Sequence, residues 1–352
     1  MTLGEIMARL AAPGFKRLQQ AMPGSLDVTF AGAEASIAAS ISLLGGRAAF
    51  VTALPQNALA DACIANLQST GVETRHILRT SRGRLGLFFV EAGVNQRPGN
   101  VIYDREGSSV ALTSAADYDW ASIFTDAEWF VISGITPAIS RNAAEVSLTA
   151  VREATSRGVK VACDMNYRSK LWQWDPPLQP RELATRIMRE LMPFVDLFAG
   201  GREDIEALLG VPDSGSDPAA LDTLARQLAV QFPRIQRVAM TRRETPSASH
   251  NQFGGMLYDA ATGRTCFAPM LNGEPSMYEI SQIVDRLGAG DAFIAGLLFS
   301  LTTPELCDQQ TAVNFAAAAG CLAHSIEGDF NYVSREEVEL LMKGASSGRV
   351  RR

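Results

Sequence analysis

"VDRLGAGDAF", residues 284–293, sets three small residues, Gly288, Ala289 and Gly290, directly before an acid, Asp291, and then runs into an apolar stretch. Phe293, Ile294, Leu297, Leu298 and Leu301 recur at roughly helical spacing, which predicts a helix from about Ala289 to Leu301. The unpaired N–H groups and positive dipole end of such a helix favour negative charge. Asp291 therefore has two readings. In one it is an acid in the first helical turn, with the glycines making the turn. In the other the N–H groups hold a transferring phosphoryl group and Asp291 takes the proton of the attacking hydroxyl.

Outward from this stretch, strand-type apolar runs at 48–54, 129–134, 159–166, 195–200 and 235–241 alternate with helical patterns near 33–44, 57–70, 140–157, 180–192 and 217–231. Three more helices are expected near 289–302, 308–325 and 334–343. Buried-type strands separated by helices predict an α/β fold, a mostly parallel sheet with helices on both faces and ligands beyond the carboxyl ends of the strands. One segment breaks the alternation. Residues 83–93 and 100–113 read as two strands joined by "VNQRPGN", either a small sheet over the site or an edge hairpin. The turn-forming stretches 174–180, 210–218 and 241–255 read as loops, and "MTLGEI" gives a first strand of only a few residues, either a shortened central strand or a chain whose true start lies upstream. A single domain is expected over 1–345, with the polar tail 346–352 fraying.

Composition narrows the function. The 352 residues carry 32 Lys plus Arg against 38 Asp plus Glu, a net charge of −6, which argues against a general nucleic-acid binder. Five scattered cysteines form no CxxC pair and there are only three histidines, so a zinc site or thiol redox motif is not expected and a reducing cytoplasm is. No apolar run reaches membrane-spanning length and the start has no export-type core, so neither a membrane partner nor secretion is expected.

The chain has no P-loop, and position 293, where a dinucleotide fingerprint would need its third glycine, holds Phe293. Three polar clusters remain. Gly32 and Ala33, before the helix with Ile37, Ile41 and Leu44, either make a tight turn or let a ligand approach the backbone. Tyr103, Asp104 and Arg105 are either a solvated turn or a grip on a carboxylate, with Arg105 giving two parallel hydrogen bonds and Tyr103 a third. Asp164, Asn166 and Arg168 alternate at a strand's carboxyl end, either as a polar loop or facing a ligand crevice.

Together, "GEIMARL", "GAEASIAASISLLG", "QRPGNVIYDREGS", "DMNYRSKLW", "EDIEALLG", "TRRETPSASHN", "DRLGAGDAF" and "GDFN", in that order, resemble the ribokinase-like (PfkB-type) carbohydrate kinases, and among them the 2-keto-3-deoxygluconate kinases. The resemblance implies a three-layer sandwich with a small β lid, ATP as donor, magnesium held mainly by phosphates and water, and phosphorylation of a primary sugar hydroxyl. It implies Asp291 as catalytic base and the N–H groups of Gly288, Ala289 and Gly290 as anion hole. Gly32, Ala33, Phe89, Tyr103, Arg105 and Asp329 would serve the sugar acid. Asn166, Arg168, Thr241, Asp285 and Asn331 would lie toward ATP, Asp204 near the metal, and the exposed lid edges would pair in a homodimer.

The chain departs from the family pattern at four places. Ala31-Gly32 replaces a double glycine, Ser36 an asparagine, Gly201-Arg202-Glu203-Asp204 an Asn-x-x-Glu, and Ala323 a basic residue. A kinase of a fructose- or ribose-type sugar, and a catalytically weak sugar-acid binding paralogue, are the alternatives that these departures leave open.

Overall fold

The computed structural model describes residues 1–212 and 214–344; the tail expected to fray lies outside them. The strands that build the two main sheets are β1 (Thr2–Leu3), β2 (Met7–Ala11), β3 (Asp27–Ala31), β4 (Phe50–Pro55), β5 (Ile77–Thr80), β6 (Gly86–Glu91), β7 (Asn100–Asp104), β8 (Trp129–Ser133), β9 (Lys160–Asp164), β10 (Leu197–Gly200), β11 (Arg237–Ser247), β12 (His250–Asp259) and β13 (Arg264–Ala268). Their order in the large sheet is β13-β12-β11-β10-β9-β8-β1-β4-β5, parallel from β11 to β5 and antiparallel through β12 and β13. A shorter strand, Tyr278–Ile280, also pairs with β12.

The apolar runs are continuous because both faces of these strands are covered. Phe130, Ile132, Val161, Cys163, Phe198 and Val238 point into one core, with residues of helices Arg141–Ser156, Pro180–Leu191 and Pro218–Gln231. Their alternating neighbours Val131, Ala162, Leu197, Ala199 and Ala239 point into the other, against helices Ala289–Leu301 and Gln309–Ala323. The result is the expected three-layer sandwich. Short polar side chains start several of the helices: Asn57, Ser140, Asp217, Asp308 and Ser334 each accept a backbone N–H in the following turn.

The excursion at 83–113 belongs to a separate four-stranded sheet, ordered β3-β2-β6-β7. It is larger than the hairpin that the local pattern suggests, because β2 and β3 join from the amino end. Its second hairpin strand stops at Asp104, and residues 109–112 are helical. The stretch 241–255, read as a loop, is instead the body of the long β11–β12 hairpin. The short first strand is real: β1 has two residues, and the chain then leaves through Gly4–Ile6 for the lid.

Candidate active site

A cavity of about 1040 Å³ opens where the carboxyl ends of β8, β9, β10 and β11 meet the inner face of the small sheet. Its floor is the start of helix Ala289–Leu301. Gly288 caps that helix at φ +84°, and a Cβ there would fall 2.7 Å from the Asp329 carbonyl oxygen, so the turn needs glycine. At Gly32 the demand is close approach, a Cβ landing 2.1 Å from the Glu5 carbonyl oxygen.

Gly32, Ala33, Tyr103, Arg105, Asn166, Arg168, Asp204, Thr241, Gly288, Ala289, Gly290, Asp291 and Asp329 all line this one cavity. Three expected residues do not. Phe89 pairs with Leu10 and Ile102 on the outer side of the small sheet, and strand alternation puts Phe88 in the cavity instead. Asp285 serves as a joint, accepting from Arg9 and from the backbone N–H groups of Arg286, Leu287 and Gly328. Asn331 is buried outside the cavity lining. Of the departures, Ala31 and Gly201–Asp204 line the cavity, whereas Ser36 and Ala323 are buried away from it.

On the lid side Arg105 is already engaged. Its Nε donates to Glu5 Oε2 at 2.7 Å and its Nη2 to the same oxygen, while the guanidinium lies 5.6 Å from the Tyr103 ring centre. Glu5 was not legible as a site residue, because its partner is 100 positions away. Among the described residues its Oε1 is buried without a partner, and the Arg105 Nη1 makes no hydrogen bond. Deeper, Arg9 of β2 donates to Asp285 at 2.5 Å and Asp329 at 2.6 Å, tying the lid to the loops around the floor.

The acids on the floor share one electrostatic problem. Desolvation raises Asp291 well above the ordinary carboxylate range, Asp164 and Asp329 add to this, and Arg168 opposes it. Asp164 is pushed up to about 7 by burial and by Asp204, and Asp329 to about 6 by burial against the pull of Arg9. Such perturbation in a cleft makes these acids candidates for proton transfer or for holding a cation. Among the described residues no three acids, histidines or cysteines converge as a protein-only metal cage. Asp164 and Asp204 nonetheless both line the cavity, where Asp204 raises the Asp164 carboxyl, and Asp204 accepts the Gly201 N–H through one oxygen.

Two arginines of the motif "TRRETPSASHN", Arg242 and Arg243, also line the cavity, as does Arg286. Sequence reading passed over all three, since nothing local distinguishes them from surface charges.

The pfkB family carbohydrate kinase model matches residues 1–331, and the chain belongs to that family. It is 33% identical over 348 residues to the 2-dehydro-3-deoxygalactonokinase of Haloferax volcanii, covering 99% of this chain and 98% of that protein. Among solved structures it is similar to the 2-dehydro-3-deoxygluconokinase of Thermotoga maritima, with TM-score 0.88, 39% identity and 97% of each chain covered. It is also similar to a PfkB carbohydrate kinase of Listeria grayi, with TM-score 0.86, 30% identity and coverage of 97% and 98%.

Proposed function

We propose that the protein uses ATP to phosphorylate the primary hydroxyl of 2-keto-3-deoxygluconate, giving 2-keto-3-deoxy-6-phosphogluconate and ADP. The observation that carries this reading is the meeting, in one cavity, of Asp291 at a helix N-terminus with the Tyr103–Arg105 pair on the lid. The hydroxyl oxygen of the sugar attacks the γ-phosphorus, the bond to the ADP oxygen breaks, and the hydroxyl proton passes to Asp291. The N–H groups of Gly288, Ala289 and Gly290 meet the charge of the transferring group, where positioning and electrostatics are most of the catalysis. Arg105 offers its Nη1 and Tyr103 its hydroxyl to the keto-acid end, and the orphaned Oε1 of Glu5 accepts from a sugar hydroxyl. Asn166, Arg168 and Thr241 lie toward the phosphates. Asp164 and Asp204 suit Mg²⁺, which takes one or two carboxylates beside phosphates and water. When bound, it neutralises phosphate charge.

The Haloferax and Thermotoga relatives are named for sugar acids that differ in configuration at C4, so the test compares both. In coupled ATP turnover with magnesium, the two keto acids should exceed ribose and fructose in kcat/KM by about a hundredfold or more, because a site built for a carboxylate is left unpaired by a neutral sugar. Preference for ribose or fructose would discard the sugar acid. Silence with all four from folded protein would discard the kinase.

Among the described residues no helix is long and apolar enough to cross a membrane. All five cysteines are free thiols, which with an ATP donor supports a cytoplasmic setting. A homodimer through the lid fits its outer face, where Val28, Leu10, Phe89 and Ile102 line up across all four strands, with Val28 58% and Ile102 48% exposed. Light scattering should give a dimer for the native chain and a monomer for Val28→Glu/Ile102→Glu; a native monomer at working concentration overturns the dimer.

A further inference from the structure

Four guanidinium groups, those of Arg168, Arg242, Arg243 and Arg286, line the cavity from three segments outside the lid. Some arginines elsewhere find carboxylates, as Arg82 does Asp117, Arg157 Glu153, Arg226 Asp222 and Arg335 both Glu305 and Glu339, and others, such as Arg97 and Arg189, are spent on backbone carbonyls. Among the described residues none of the four has a carboxylate within ion-pair distance. In a chain of net charge −6 this convergence is not a by-product of basic composition.

The cluster is also held in place. Arg243 lies on the same face of β11 as Thr241 and stacks 5.5 Å over the ring of Phe253, its neighbour across the β11–β12 ladder. Phe253 in turn meets Phe293 edge-on at 6.4 Å, two residues beyond Asp291. Arg286 donates to Ser247 O at 3.2 Å, to Thr245 Oγ1 at 3.4 Å and to Asn251 Oδ1. Asn251 is fixed by buried His324, whose Nδ1 donates to Gly320 O at 2.9 Å, leaving Nε2 to accept from Asn251 Nδ2 at 3.1 Å. Arg243 thus stands beside two like charges, Arg286 and Arg168, which together with desolvation lower its proton affinity. An anion seated among the three guanidiniums would relieve this repulsion.

We propose that Arg243, with Arg168 and Arg286 beside it, is the clamp for the polyphosphate tail of the nucleotide donor, and that it sets affinity for the donor rather than for the sugar. The inference rests on the ATP-dependent reading above. A polyphosphate carries several charges and many acceptor oxygens, which several forked guanidiniums match better than any single carboxylate does. The one carboxylate of a sugar acid has its own partners, Arg105 and Tyr103, on the lid. Because the cluster is pre-formed, it binds polyphosphate without sugar or magnesium.

Calorimetric titration with inorganic tripolyphosphate, in the absence of magnesium and sugar, tests this on the full chain. Arg243→Ala should weaken binding by about tenfold or more, the size of a lost charge-assisted contact, and Arg243→Lys should recover part of it. Arg243→Gln, whose stem still covers Phe253, should behave like Arg243→Ala with native circular dichroism, which separates a lost clamp from a lost fold. In turnover the KM for ATP should rise while the KM for the sugar acid stays put. Unchanged tripolyphosphate binding in Arg243→Ala, or a rise confined to the sugar KM, overturns the clamp. Arg243-dependent tripolyphosphate binding by a protein that phosphorylates no sugar acid would leave the clamp standing and remove the proposed acceptor.

Discussion

Asp291→Asn should lower kcat by a hundredfold or more, since removing a general base usually costs on the order of 10²–10⁴. Asparagine keeps the size of the side chain and leaves the Gly288–Gly290 turn intact, so nucleotide affinity should stay nearly unchanged. The pH profile adds a second reading. Only the ionised carboxylate accepts a proton, and burial with Asp164 and Asp329 nearby holds Asp291 well above the usual carboxylate range. For the native enzyme kcat/KM should therefore climb with pH along a limb displaced upward from that range, and Asp291→Asn should lose the limb. Single-turnover measurement of phosphoryl transfer decides the matter: a variant retaining more than about a tenth of the native rate would rule out a general-base role.

Arg9→Leu should cost about 3–5 kcal/mol of stability, the usual penalty for removing one partner of a buried ion pair. The side chains of Arg9, Asp285 and Asp329 are only 7%, 11% and 13% exposed, and the substitution leaves two acids without their cation. The pH dependence follows from sign. The folded-state pKa of Asp329 is raised to about 6, so its contribution is fully present below the ordinary carboxylate value and is lost as pH rises through about 6. Without Arg9 the rise is larger, and urea unfolding should show a smaller deficit at pH 5 than at pH 8. A loss below about 1 kcal/mol, the worth of an exposed pair, would mean that the bridge does not hold the lid.

Much of the scaffold was legible because its signals are local. The helix expected at 33–44 spans Ala33–Leu43, and that expected at 140–157 spans Arg141–Ser156. What escaped depends on distant partners. β3 carries alternating Val28 and Phe30, but its reason to be a strand is the preceding strand β2, drawn from a segment that begins in the large sheet. The β11–β12 hairpin looked like a loop because its polar residues border a cleft, where strands need not be apolar on both faces. In the site, glycines and acids near helix starts announced themselves, whereas Phe88 against Phe89 turned on a one-residue choice of strand face. Glu5 and Arg243 gained meaning only when segments 100 or more residues apart, or three at once, came together.

The joint made by Arg9 has a thermodynamic consequence. Asp329 grips the lid through its carboxylate while its carbonyl oxygen abuts Gly288, the cap of the helix that carries Asp291. A lid that lifts pulls on the same residue that walls the proposed phosphate cradle, so on that reading cradle and lid do not settle independently. Sugar holding the lid down steadies the cradle, and by reciprocity an occupied cradle steadies the lid by the same free energy. The two substrates are then cooperative ligands of one joint, each making the other's site cheaper to order.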